Sequence, residues 1–209
     1  MSDAPPPDPG SPSSERARWE ERWTELRERA RPPPRGLSGT EHRPPAAGRA
    51  LDWAGGDGRN ALWLAERGLD VLLADIAPTA LATAAARAEH RSLPLRTLAI
   101  DLSQEAPPAG PWDLILCHHY FDPRIFQRAL PLLGPGGVLL VNHPTRRNLE
   151  RSPRPPAHFL HEEGALLSLA RAVLGPGQGI VAAEEEWGIA GRHEAGVVIE
   201  AAPLDLPPR

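Results

Sequence analysis

The sequence predicts an α/β protein built on a seven-stranded, mostly parallel sheet with helices on both faces and a C-terminal antiparallel β-hairpin. Three observations predict it. Apolar runs of strand length alternate with helical patterns through five units between residues 50 and 141. A turn of small residues, Ala54-Gly55-Gly56-Asp57-Gly58, joins the first of these strands to the helix after it. Beyond Asn142 the alternation stops, and two strand-like segments, 180–187 and 195–201, follow each other with a short turn between them.

Each element has its own justification. Residues 1–14 are rich in Pro, Ser and Asp and are expected to be a disordered tail. Residues 15–31 read as a helix, because Trp19, Trp23, Leu26 and Ala30 fall on one face and charges on the other. That helix packs on the domain edge or, alternatively, lies as a lid over the ligand crevice. Residues 32–48 carry Pro32, Pro33, Pro34, Pro44 and Pro45 and read as an irregular loop. The first strand is 50–53, and Asp57 stands where an N-cap would, ahead of a helix over 59–67. Gly68 supplies a left-handed stop, and the apolar strand 70–75 ends in Asp75. Pro78 suits the first turn of a helix that continues over 79–90. Strand 95–100 is closed by Asp101, strand 113–117 follows, and 124–133 reads as a helix. Gly134-Pro135-Gly136-Gly137 is then a turn before strand 138–141. Residues 144–156 form a basic, Pro-containing loop, and 161–173 an amphipathic helix.

Composition bounds what the chain does. Its 209 residues make one domain, 15–209, long enough to bury roughly 70% of its unfolded surface. Within it, 15–48 is the N-terminal helix and loop, 49–141 the cofactor-binding core, and 142–209 the substrate side. The net charge of −4 gives no general support to a nucleic-acid partner. The one cysteine, Cys117, precludes an internal disulfide and fits a reducing compartment. No apolar run of about 18 residues is present, nor a signal-like N-terminal stretch, so no membrane partner and a cytoplasmic location are expected.

A strand, a glycine turn, a helix and a second strand ending in an acid is how a nucleoside-containing cofactor is usually held. Gly56-Asp57-Gly58-Arg59-Asn60-Ala61 matches the dinucleotide form G-x-G-x-x-A. Charge argues against a dinucleotide, because Asp52 and Asp57 flank the place where its pyrophosphate would lie. Two like charges about 4 Å apart cost several kcal/mol even at an effective dielectric of about 20. S-adenosylmethionine has no phosphate, carries a sulfonium and an ammonium, and keeps the adenosine that Asp75 would read. The acidic turn therefore favours it over NAD.

The segment D-W-A-G-G-D-G-R-N-A-L-W-L-A-E-R-G resembles the first motif of class I S-adenosylmethionine-dependent methyltransferases, with Ala54 in the first glycine position. V-L-L-A-D-I-A-P, A-I-D-L, W-D-L-I-L-C and L-G-P-G-G-V-L-L-V follow in the family's order, from about residue 49 to 141. Within that family the chain is similar to the small bacterial tellurite-resistance-type enzymes. The resemblance implies a Rossmann-like sheet and a methyltransferase activity. It also implies that Asp52, Ala54, Gly56 and Gly58 shape the methionine end of the cofactor, with Gly55 and Asn60 in the same cofactor-binding set. Asp75 with Ile76 would take the ribose, and Asp101 with Leu102 the adenine side. Cys117, at the end of the fourth strand, joins this cofactor-binding set, and as a nucleophile it is outweighed by a role in the core.

Ligands of open α/β sheets bind beyond the carboxyl ends of the strands. The segments arriving there after strands four and five are His118-His119-Tyr120-Phe121-Asp122 and Asn142-His143-Pro144, which hold three of the eight histidines. Methyl transfer needs an aligned nucleophile and, where required, a base for its proton; imidazole suits the second task. His118, His119, Tyr120 and His143 are therefore the catalytic candidates, toward a small-molecule acceptor. For each histidine the alternative is a strand cap or a backbone hydrogen bond. His158 and His161 could join them around a metal, but no Cys cluster or H-E-x-x-H accompanies them and no metal is expected. Arg146, Arg147, Arg151 and Arg154 would clamp an anionic substrate or form a solvated loop. The competing functions are a non-catalytic module on the same fold and, less favoured, an NAD(P)-dependent oxidoreductase.

Overall fold

The computed structural model describes residues 12–26, 45–120, 122–188 and 191–202. Seven strands form one sheet in the order β3-β2-β1-β4-β5-β7-β6. They are β1 (Gly48–Trp53), β2 (Leu69–Asp75), β3 (Leu95–Ala99), β4 (Trp112–His118), β5 (Leu133–Pro144), β6 (Gln178–Trp187) and β7 (His193–Ala201). The pairs among β1 to β5 are parallel, whereas β7 runs antiparallel to both β5 and β6. The fold class read from the sequence is the one observed. The helices are α1 (Pro12–Leu26), α2 (Arg59–Ala65), α3 (Pro78–His90), α4 (Ile125–Ala129) and α5 (Ala165–Val173).

Strand pleating sorts the core into two layers. Leu51, Trp53, Ile115, Cys117, Leu139, Val141 and Val197 face Ile125 and Phe126 of α4 and Leu166 and Ala170 of α5. The residues between them, Ala50, Leu73, Leu114, Leu116, Leu140 and Val198, face Ala61 and Leu64 of α2 and Leu81 and Ala84 of α3. β1 is buried along its last four residues because both its edges and both its faces are covered. Asp52 is one of those four, and it has no water to solvate it.

Several expected boundaries are corrected. Helix α1 begins at Pro12, inside the stretch expected to be disordered, and residues 1–11, 27–31 and 32–44 lie outside the described residues. Gly58, not Asp57, is the N-cap of α2; its backbone is left-handed (φ 76°) and no side chain caps the helix. The Gly134–Gly137 turn and the expected loop Asn142-His143-Pro144 both belong to β5, whose register with β4 shifts between Trp112 and Leu114. The expected loop 144–156 contains a 3-10 turn, Arg146–Glu150, capped by the Thr145 hydroxyl. The last helix starts at Ala165, not residue 161, because His161 instead bridges to Thr145 as an isolated parallel β-pair.

Candidate functional site

The carboxyl ends of β1, β2, β4 and β5 meet where the order of connections reverses, and the ligand crevice of such a sheet opens there. At the end of β1 the chain turns through Ala54, Gly56 and Gly58, all with positive φ (56°, 60° and 76°). The three glycines do different work. A Cβ on Gly55 would meet the Asp52 carboxylate at 2.3 Å and Leu73 at 2.5 Å. One on Gly58 would meet the Ala84 methyl at 2.6 Å, so Gly58 serves α2–α3 packing and not, as expected, the approach of a ligand. Gly56 is buried, and the space a Cβ there would take is filled by the indole of Trp23 from α1.

Asp75 ties this turn to β2. Its Oδ2 accepts from the Gly56 amide (2.8 Å) and its Oδ1 from the Ala77 amide (2.9 Å). Burial raises its carboxyl above the ordinary range, the amides of Ala77, Gly56 and Ile76 offset part of this, and nearby Glu20 adds to it. Asp52 is fully buried, and neither of its carboxylate oxygens makes a full hydrogen bond among the described residues. Desolvation pushes it up to about 7, against the Ala61 amide and Arg59. Asp101 accepts from the Ser103 amide and hydroxyl through Oδ1 (3.0 and 2.6 Å), while its buried Oδ2 has no partner among the described residues. Asp101 is therefore a turn cap with one oxygen to spare. Asn60 is buried in the first turn of α2, also with an orphan Oδ1. Asp57, by contrast, is paired with Arg87 of α3 at 3.0 Å. The acidity of the turn consequently rests on Asp52 and Asp75, and Asp57 contributes little to the charge argument against a phosphate.

Burial disfavours charge on Asp52 and Asp75; a cation in this cradle would hold them ionised, whereas a pyrophosphate would add to the repulsion, so the cradle fits a cation better. Asp52 and the turn 54–58 with Asn60 lie at the end of β1, Asp75 and Ile76 at the end of β2, and Asp101 and Leu102 just after β3, at the carboxyl ends of three adjacent strands. Cys117 is the correction. Its side chain is fully buried in the α4–α5 layer, where desolvation pushes the thiol well up, so it contributes core and not cofactor surface.

The histidines are positioned by β4, β5 and β7. His118 pairs with Asn142 across β4–β5, and β7 continues the row with Asn142 opposite Gly196 and Pro144 opposite Glu194. The His119 amide donates to the Asn142 carbonyl (2.8 Å), and a left-handed backbone (φ 61°) stacks its ring on His118 at 3.8 Å. Its Nε2 lies 2.8 Å from Glu194 Oε1. Burial pushes Glu194 up, but the His119 hydrogen bond and the charges of His119, Arg192 and Arg59 outweigh it and hold the carboxyl below its usual range. His118 has Arg59 Nη2 at 3.4 Å from its Nδ1, and burial with the surrounding cations keeps it neutral, well below the ordinary imidazole range.

His143 is not on a loop. Strand pleating turns it away from Asn142 into the α5 layer, fully buried against Phe159 (5.1 Å) and His161 (5.3 Å). Its Nδ1–H donates to the Pro144 carbonyl (3.0 Å), and burial lowers its pKa to about 3. Tyr120 is half-buried, and desolvation and Asp122 raise its hydroxyl. The basic loop is largely committed elsewhere: Arg146 pairs with Glu162, Arg147 with Glu150 and Glu163, and Arg151 lies 3.5 Å over the Trp187 ring.

Sequence reasoning missed Glu194, Arg59 and Glu20 as members of this region, and reached Trp23 only through the lid alternative for its helix. Glu194 becomes a neighbour of His119 only when β7 inserts beside β5, and no local pattern carries that information. Two trios could offer metal ligands among the described residues, His118–His119–Glu194, within 4.8 Å of one another, and Glu163–Glu185–His193. In the first, Arg59 Nη2 lies 3.4 Å from His118 Nδ1, and its charge opposes a cation there.

Residues 50–137 match the family model described as a methyltransferase domain. That segment of the chain is a methyltransferase domain. No curated protein matches it. A TehB-like S-adenosylmethionine-dependent methyltransferase from Corynebacterium glutamicum is similar at 19% identity and TM-score 0.61, over 90% of this chain and 99% of that one. The magnesium protoporphyrin IX methyltransferase ChlM of Synechocystis, solved with bound S-adenosylhomocysteine, is similar at 15% identity and TM-score 0.58, over 73% of each chain. The S-adenosylmethionine-dependent methyltransferase SibL is similar at 26% identity and TM-score 0.53, over 74% of this chain and 50% of its own. A methyltransferase domain is that of an enzyme, and the fold is the one these S-adenosylmethionine-dependent methyltransferases share. Among its described residues no helix is long and apolar enough to cross a membrane.

Proposed function

We propose that this methyltransferase acts on a small-molecule acceptor bound at the ends of β4, β5 and β7, and that His119 takes the acceptor's proton. The observation that carries the reading is the 2.8 Å contact between His119 Nε2 and Glu194. An ionised carboxylate only accepts, so Nε2 carries the hydrogen and Nδ1 is left as the basic nitrogen. Once Nδ1 takes a proton, Glu194 stabilises the imidazolium. His118 and His143 are poorer bases, because burial holds both neutral and a proton placed on either would not stay.

On the cofactor side, Asp52 and the turn 54–58 would hold the methionine end, Asp75 the ribose, and Asp101 the adenine side. Bound S-adenosylmethionine supplies a methyl carbon activated by the adjoining sulfonium. The protein aligns the acceptor with that carbon and removes a proton where the acceptor carries one. A panel of small-molecule thiols, hydroxyls, carboxylates and chalcogen oxyanions, incubated with labelled methyl donor, tests the reading. Label is expected in at least one panel member. Bound cofactor with no labelled product would leave a non-catalytic module.

A further inference from the structure

We infer that α1 is a strap that closes the cofactor cleft at rest and must leave before S-adenosylmethionine reaches the glycine turn. The inference rests on the cofactor reading of that turn. Of its three glycines, Gly55 is backed by Asp52 and Leu73, and Gly58 by Ala84 and Leu73. At Gly56 alone of the three, the nearest atoms to a Cβ all come from α1. A Cβ on Gly56 would fall 2.1 Å from Trp23 Cζ2 and 2.5 Å from Cη2, so the indole already rests on that surface. A glycine here lets one group come into contact with the backbone, and an indole and a cofactor cannot both be that group.

Two further anchors hold the strap. The Glu20 carboxylate accepts from the Thr79 amide (3.1 Å) and the Thr79 hydroxyl, in the first turn of α3 just beyond Asp75. Trp19 lies 6.3 Å from Phe159, the ring that packs on His143. Helix α1 thus spans from the acceptor side to the cofactor turn. Beneath it Asp75 is 7% exposed, with both oxygens engaged by backbone amides. α1 itself is a light lid. Its visible side chains are half-buried or exposed, which suits a segment drawn from the low-stability end of the molecule. A ligand that binds only the open form loses apparent affinity in proportion to the closed fraction.

The test uses the full chain and S-adenosylhomocysteine, followed by calorimetry and by stopped-flow fluorescence. Trp23→Ala is expected to tighten binding by about 5-fold or more, the lower end of usual coupling between two states. The parent's association rate should level off with ligand concentration as opening becomes limiting, and the plateau should rise or vanish in the variant. Trp23→Phe keeps a ring over Gly56 and should stay near the parent. Should Trp23→Ala fail the circular-dichroism check for a folded domain, Glu20→Ala carries the test through loss of the Thr79 anchor, with the same direction expected. Unchanged affinity in a folded variant overturns the strap, and weaker binding overturns it in favour of a clamp that needs α1. Absence of binding by the parent itself removes the cofactor reading and the strap with it, so the two failures are distinguishable.

Discussion

His119 Nε2 and Glu194 Oε1 lie 2.8 Å apart although 75 positions separate them in the chain. The contact exists because β5 stands between β4 and β7 and brings both strand ends to one rim. His119→Ala is expected to lower kcat by roughly 10²–10⁴, as loss of a general base does. Glu194→Gln should lower it less, because the imidazole stays and only its ionic partner goes. Affinity for S-adenosylhomocysteine should not change in either. His143→Ala should affect stability more than turnover, since His143 is a core residue. Parental kcat in His119→Ala, on an acceptor found in the panel, would remove the base from the account.

Asp52 makes stability depend on pH in a definite direction. Its carboxyl is raised from 3.8 to about 7 on folding, so the fold prefers it protonated. The stabilisation is complete below about pH 4 and is lost as pH rises through 7, by up to about 4 kcal/mol. Asp52→Asn keeps the shape and removes the titration. Urea unfolding at pH 5 and pH 8 should show a flatter pH dependence in the variant than in the parent. Parallel curves would mean that Asp52 keeps its charge by a contact with another group.

The turn offers opposite outcomes at two neighbouring positions. Ala54 sits at φ 56°, where a Cβ costs about 1–2 kcal/mol. Ala54→Gly should recover about 1 kcal/mol after the added freedom of the unfolded chain is subtracted. Gly58→Leu should abolish folding, because its Cβ already meets Ala84 and its φ is left-handed. A folded Gly58→Leu would show that α2 and α3 separate more easily than their packing implies. Thermal denaturation resolves both.

Asp75→Asn should weaken S-adenosylhomocysteine binding by roughly 1.5–3 kcal/mol, the usual worth of a hydrogen bond to a charged group. The amide oxygen can still accept from Gly56 or Ala77, which keeps the turn in place. Calorimetry showing parental affinity would place the ribose elsewhere.

The fold was legible because β1 to β5 announce themselves locally. Asp70 apart, the strand L-D-V-L-L-A-D is apolar up to its acid, and Pro78 and Gly68 punctuate the helices around it. The cofactor cradle was legible for the same reason: Asp52, Gly56 and Asp75 lie within one strand–turn–helix–strand unit. What local pattern could not carry was the choice between faces. His143 looked like a companion of His119 because both follow strand-like runs, yet pleating sends it into the core. Asp57 looked like a cap until Arg87, thirty positions away, claimed it. Trp23 on Gly56 and Glu194 on His119 are likewise contacts between distant segments, and periodicity within either segment says nothing about them.

The placement of β7 has a consequence for the order of assembly. β6 precedes β7 in the chain but lies outside it in the sheet, so β6 has no partner there until β7 has arrived. The two are separated by only residues 188–192 in sequence and register along nearly their whole length, which makes the hairpin a local, fast-forming unit. Until that hairpin docks, β5 presents an unpaired row of amides and carbonyls, the kind of edge that recruits other chains. Docking closes this edge and, in the same step, delivers Glu194 to His119. Completion of the sheet and completion of the base are therefore one event, and a chain caught before it would be both sticky and idle.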